Sequence, residues 1–215
     1  MTAEVYEDAK IETIACYSKC KNYRFYLKKT LNYEPLEAKK YNLDKNITFI
    51  LLNPNIAGAL ITDRTVMNAT NYAVEEGYGS ITFLNLFPYK SLRPKKLVKN
   101  SEIYIKKNRF YIKKLCIEAD LIIIGWGARG EYKKEKKEVF EILKEINKDN
   151  VDVLKCFEIN TEKLKKLKDT EKIKPTELKI LNDPPNPPLH LRNYNKDLWK
   201  LTTYKYDLEQ NNKSN

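Results

Sequence analysis

The chain has 215 residues, the size of one generous α/β domain, and carries 40 Lys+Arg against 29 Asp+Glu, a net charge of +11. Such a basic surface attracts phosphate backbones and anionic membranes, but no apolar stretch reaches the roughly 18 residues that a membrane span needs. The N-terminus "MTAEVYEDAKIE" has no signal-peptide pattern, so the expectation is a cytoplasmic, monomeric protein without membrane attachment. Cys16, Cys20, Cys116 and Cys156 then read as reduced thiols. Cys16 and Cys20 lack tight ligand spacing and Cys156 lies in an apolar strand pattern, so neither a metal nor a cofactor is expected.

Residues 1–45 form an N-terminal annex whose "CKNYRFYLKKTLNYE" is basic and aromatic, either helical or a strand–helix addition. The first apolar run, "ITFILL" at 47–52, stops at Asn53-Pro54 and is followed by Asn55, Ala57 and Gly58. A helix is predicted over 64–76, with Val66, Tyr72 and Ala73 on its apolar side. Asp63 just before it is either a site carboxylate or the helix cap. The second run, "SITFLNLF" at 80–87, contains Asn85 and leads into "NLFPYKSLRPKK". There Phe87, Lys90, Arg93, Lys95 and Lys96 suit base stacking and phosphate pairing, or simply form a solvated loop over the core.

A longer helical pattern follows at 101–118, then a third run, "ADLIIIG" at 119–125. It ends in "GWGARG", which includes Gly127 and Arg129. Three readings of that segment stand: a dinucleotide fingerprint, a tight strand-to-helix turn, or backbone amides that hold a phosphate at a helix N-terminus. After a helix over 131–147 comes the fourth run, "VDVLKCFE" at 151–158, and a polar insertion at 160–178. The proline-rich "NDPPNPPLHLR" holds Leu189, Arg192 and the sole histidine, His190. One domain over 1–206 and a disordered tail at 207–215 complete the expected organisation.

The four runs are continuous rather than alternating, as in strands covered on both faces, and helical patterns lie between them. A three-layer α/β/α sandwich with a central, mainly parallel four-stranded sheet is therefore expected. Ligands in such sheets bind at the carboxyl ends of the strands, where "NPNIAG", "NLFPYKS" and "GWGARG" all fall.

In their order along the chain, "LLNPN", "NYAVEEGYGSITFLNLF", "LIIIGWGARG" and "NPPLHL" together resemble the uracil-DNA glycosylase superfamily. The resemblance runs through an uncharacterised bacterial and phage family with a Leu-Asn-Pro-Ser-Thr motif. It implies that Asn53 stands at the catalytic asparagine, Asn85 at the asparagine that reads the base, and Leu189 at the position that wedges into the duplex. A proline stands at the loop's histidine position, which leaves His190 as the histidine able to serve. Strict uracil enzymes carry a blocking tyrosine two residues beyond the catalytic position, where this chain has Asn55. Room beside C5, lined by Asn55, Ala57 and Gly58, then favours a 5-substituted pyrimidine.

The expected function is accordingly a monofunctional DNA glycosylase that flips and excises such a base, with a role against phage carrying modified DNA. Asn53, His190 and Asp63 would serve the chemistry, and Asn85, Asn55, Phe87, Ala57 and Gly58 the base. Lys90, Arg93, Lys95, Lys96, Leu189, Arg192, Gly127 and Arg129 would contact the DNA. A catalytically inactive nucleotide- or nucleic-acid-binding protein, and an enzyme acting on free nucleotides, are the other classes left open.

Overall fold

The computed structural model describes residues 8–33, 42–91, 101–127, 131–146, 153–204 and 206. Among them, seven strands form one sheet: β1 (Ala9–Tyr17), β2 (Arg24–Tyr33), β3 (Asn42–Leu51), β4 (Tyr78–Asn85), β5 (Leu121–Gly125), β6 (Leu154–Ile159) and β7 (Trp199–Thr203). The five α-helices among the described residues are α1 (Arg64–Glu75), α2 (Glu102–Cys116), α3 (Lys133–Ile146), α4 (Thr161–Asp169) and α5 (Pro175–Asn182).

The sheet order is β1-β2-β4-β3-β5-β6-β7. Its middle, β4-β3-β5-β6, is parallel throughout. β2 pairs antiparallel with β4, β1 with β2, and β7 with β6. The fold is α/β, but the expected four-stranded, mainly parallel sheet is wrong in size and in kind: the sheet is mixed and has three further, antiparallel strands. The added strands escaped notice because none carries a continuous apolar run. β1, "AKIETIACY", is an edge strand that is mostly exposed, and β7 has only five residues. Residues 9–33, expected as an annex, are a hairpin built into this sheet.

Both faces are covered. On one, Phe49, Phe83, Ile123 and Phe157 pack against Val66, Ala69 and Tyr72 of α1 and Leu164 of α4. On the other, Ile50, Leu84 and Ile124 meet Ile112 and Cys116 of α2 and Val139 and Leu143 of α3. This explains the unbroken apolar strands, since successive side chains point to opposite faces and both need filling. Leu164 is fully buried, so the polar 160–178 segment is anchored to the core through α4.

Two local features set the site. The α1 helix starts at Asp63, whose Oδ1 accepts from Thr65 N and Val66 N at 3.0 Å each, as a helix cap does. Because β2 runs opposite to β4, its first residue lies where β4 finishes, and Arg24 N donates to Pro88 O at 2.8 Å. The antiparallel addition therefore delivers a side chain to the carboxyl end of the parallel strands.

Candidate active site

The loops after β3 and β5, the start of α1 and the segment 190–193 enclose a cavity of about 570 Å³. Its walls hold three arginines, Arg24, Arg64 and Arg192, and one carboxylate, Asp63. Asn53 and Asn55 enter from the β3 loop, Trp126 and Gly127 from the β5 loop, and His190 from the last segment.

Asn53 is held firmly. Its Nδ2 donates to Ser91 O at 2.7 Å and to Pro54 O at 3.0 Å, which engages both amide hydrogens and leaves Oδ1 as its acceptor. Asn55 Oδ1 is buried and has no partner among the described residues. Gly127 adopts φ +84°, and a Cβ there would meet open space; glycine is required for the conformation rather than for room. His190 Nδ1 accepts from Arg192 N at 3.2 Å, a bond that orients the ring at the start of a short 3-10 turn over Leu191–Asn193. Asn68 of α1 ties this turn down by donating to Leu191 O and Arg192 O.

Arg24 is the unusual member. Its side chain is 1% exposed, yet it carries a guanidinium. Nη1 donates to Ala57 O and Nη2 to Asn85 Oδ1 at 3.3 Å, both neutral acceptors, while Nε has no partner among the described residues. Burial pulls this guanidinium down to about 10, with Tyr17 and Asp63 acting the other way, so it stays charged at neutral pH.

Six of the residues expected from sequence line the cavity: Asn53, Asn55, Asp63, Gly127, His190 and Arg192. Others do not. Asn85 is fully buried, with its side chain on Arg24 and its backbone carbonyl accepting from Asn108 Nδ2 at 2.8 Å. Ala57 sits in the core, and a Cβ on Gly58 would lie 2.7 Å from the Tyr17 hydroxyl, so neither small residue opens space. Phe87 packs edge-on against Tyr132, and Lys90 Nζ lies over the Tyr17 ring at 5.3 Å. Leu189, expected as a wedge, is 6% exposed and belongs to the core. Arg93, Lys95, Lys96 and Arg129 lie outside the described residues.

Arg24, Arg64 and Trp126 were missed. Arg64 follows directly on the helix cap, a place where a side chain reaches the strand ends, and this could have flagged it. Arg24 gives no such signal: in "NYRFYL" it reads as one more basic residue among aromatics.

Residues 24–176 match a family described as "Protein of unknown function (DUF1643)", and the chain belongs to that family. No curated protein and no solved structure matches it. The assignment to the uracil-DNA glycosylase superfamily is thereby corrected, since the family found is a different one. Three of the four segments behind that assignment, "LLNPN", "NYAVEEGYGSITFLNLF" and "LIIIGWGARG", run over the ends of β3, β4 and β5, where any parallel sheet with a site collects asparagine, proline and glycine. Among the described residues no helix is long and apolar enough to cross a membrane.

Proposed function

We propose that the chain is a monofunctional DNA N-glycosylase, acting as a monomer on a nucleotide turned out of DNA into this cavity. The observation that carries the reading is the cavity's make-up: two asparagines deep at the strand ends, with Arg64 and Arg192 exposed beside them. Exposed arginines suit backbone phosphates, and the volume lies within the usual range of small-molecule sites. Ile56, Leu60 and Ile61 are exposed on the segment between Asn55 and Asp63, and Leu60 is 98% exposed. Apolar side chains there suit contact with unstacked bases.

In this reading Asn53 Oδ1 accepts a hydrogen bond from the attacking water and orients it, while its amide stays on Ser91 O and Pro54 O. Asn55 Oδ1 takes a hydrogen bond from the base or its substituent. A pyrimidine with a hydroxyl-bearing group at C5 is the favoured substrate, a base of the kind that would mark foreign phage DNA. Since Ala57 and Gly58 are packed by neighbours, this preference rests on Asn55 and the cavity volume alone.

The test is to incubate the protein with unmodified DNA, uracil-containing DNA and DNA containing hydroxymethylated or glucosylated pyrimidines, then score alkali-labile abasic sites. Abasic sites in the modified DNA are expected. A second reading, binding without cleavage, is favoured by Asp63, the one carboxylate among the cavity-lining residues, whose Oδ1 already caps α1. It predicts salt-dependent DNA binding with no abasic sites on any substrate.

A further inference from the structure

Arg24 poses a problem that the fold alone does not solve. A buried charge normally has a counter-charge, because taking an ion out of water is costly unless it is paired and hydrogen-bonded. Here no described carboxylate lies within ion-pair distance of the guanidinium. Among the described residues its partners are a backbone carbonyl and a carboxamide, and its Nε–H meets none of them. The frame around it is just as specific. Asn85 turns Oδ1 to Nη2, and Ala57 O takes Nη1, so the plane of the fork is fixed from two sides. Arg24 also forms part of the cavity wall, so the charge of its guanidinium lies against whatever occupies the cavity.

We infer that Arg24 is the group that receives negative charge from the occupant of the cavity, and that Asn85 is the residue that positions it. The inference rests on the glycosylase reading for the identity of that charge. Water adds to C1′ and its proton passes to solvent. The C1′–N1 bond breaks with its electron pair on the pyrimidine N1, from which it spreads to O2. The base anion then takes a proton from solvent. A fixed guanidinium at O2 stabilises the charge as it develops, without reorganising at that moment. The added strand β2 thus supplies this residue to the cavity.

Asn85→Asp gives a sharp test, because it sets a carboxylate against the guanidinium and neutralises it with almost no change of shape. The probes are 5-nitrouracil, an anion at neutral pH, and uracil, which is neutral, titrated calorimetrically into the full chain. The wild type should bind the anion at least tenfold more tightly, and N85D should lose that preference while melting no lower than wild type. A wild type with no preference, or an N85D that folds and keeps it, overturns the inference. If N85D does not fold, Arg24→Gln decides on the same criterion. Because no bond is broken in these titrations, absence of abasic sites with the anion preference intact would sink the glycosylase reading and leave the Arg24 assignment standing.

Discussion

At Asn53 the side chain is oriented before any ligand arrives, because two carbonyl oxygens hold its amide. Asn53→Ala should therefore lower single-turnover base release by roughly 10²–10³-fold, the usual effect of losing one well-placed polar group at a reacting centre. Folding should be nearly unaffected, since Asn53 is only half-buried. Asn53→Asp should be worse in a different way. It sets a carboxylate against the Ser91 and Pro54 carbonyls, so its melting temperature should fall below that of the alanine variant. Asp63→Ala removes the α1 cap and should cost about 1 kcal/mol in urea denaturation. A loss of stability under about 0.3 kcal/mol would mean that the cap bonds are not what starts the helix.

The elements differ in how openly the sequence announces them. Parallel strands β3 to β6 were legible because burial on both faces demands unbroken apolar residues such as "ITFILL" and "LIIIG". The α1, α2 and α3 helices were legible within a residue or two, although α2 buries Asn108, Ile112 and Cys116 and exposes Ile103 and Phe110, with Ile117 exposed just past its end. β2 was not legible, since "RFYLKKTLNY" mixes core residues with lysines that only its place between β1 and β4 explains. The candidate site divides the same way. Asparagines at strand ends can be read from a sequence, while Arg24 needs the tertiary pairing that brings β2 home.

Gly79 in β4 marks how closely the elements approach. A Cβ there would lie 1.8 Å from the Leu43 carbonyl oxygen, beside the register shift between Asn42 and Asn46 of β3. Backbone must move to admit a methyl group, so Gly79→Ala should lower stability by about 1–3 kcal/mol in chemical denaturation. An unchanged midpoint would show that the start of β3 gives way freely.

For the molecule as a whole, on the proposed reading the net charge of +11 would set a long-range attraction for nucleic acid, which the arginines at the cavity would focus. Arg64→Ala and Arg192→Ala should each weaken DNA binding to a similar degree for every sequence and reduce the salt slope by about 1. Slopes equal to wild type would place the phosphate path elsewhere on the surface. Cys116 and Cys156 are buried in the core beneath α2 and α3, and burial pushes the Cys156 thiol up to about 12. Both should resist alkylation until the protein unfolds, which mass spectrometry after a short iodoacetamide pulse can check.

The assembly of the cavity also has a consequence in time. Asn68 grips Leu191 and Arg192 across more than 120 positions of the chain, and Arg24 reaches Asn85 across 61. Contacts of such separation close slowly, because the chain between them must lose its freedom before they form, whereas helices such as α3 appear early. During refolding, binding competence should therefore lag behind helical circular dichroism. Trp126, buried in the cavity wall, can serve as the clock in a Trp199→Phe background. Its fluorescence should reach the native value together with recovered anion binding, in the last phase. Newly made chains would pass through an interval in which the helices exist and the cavity does not.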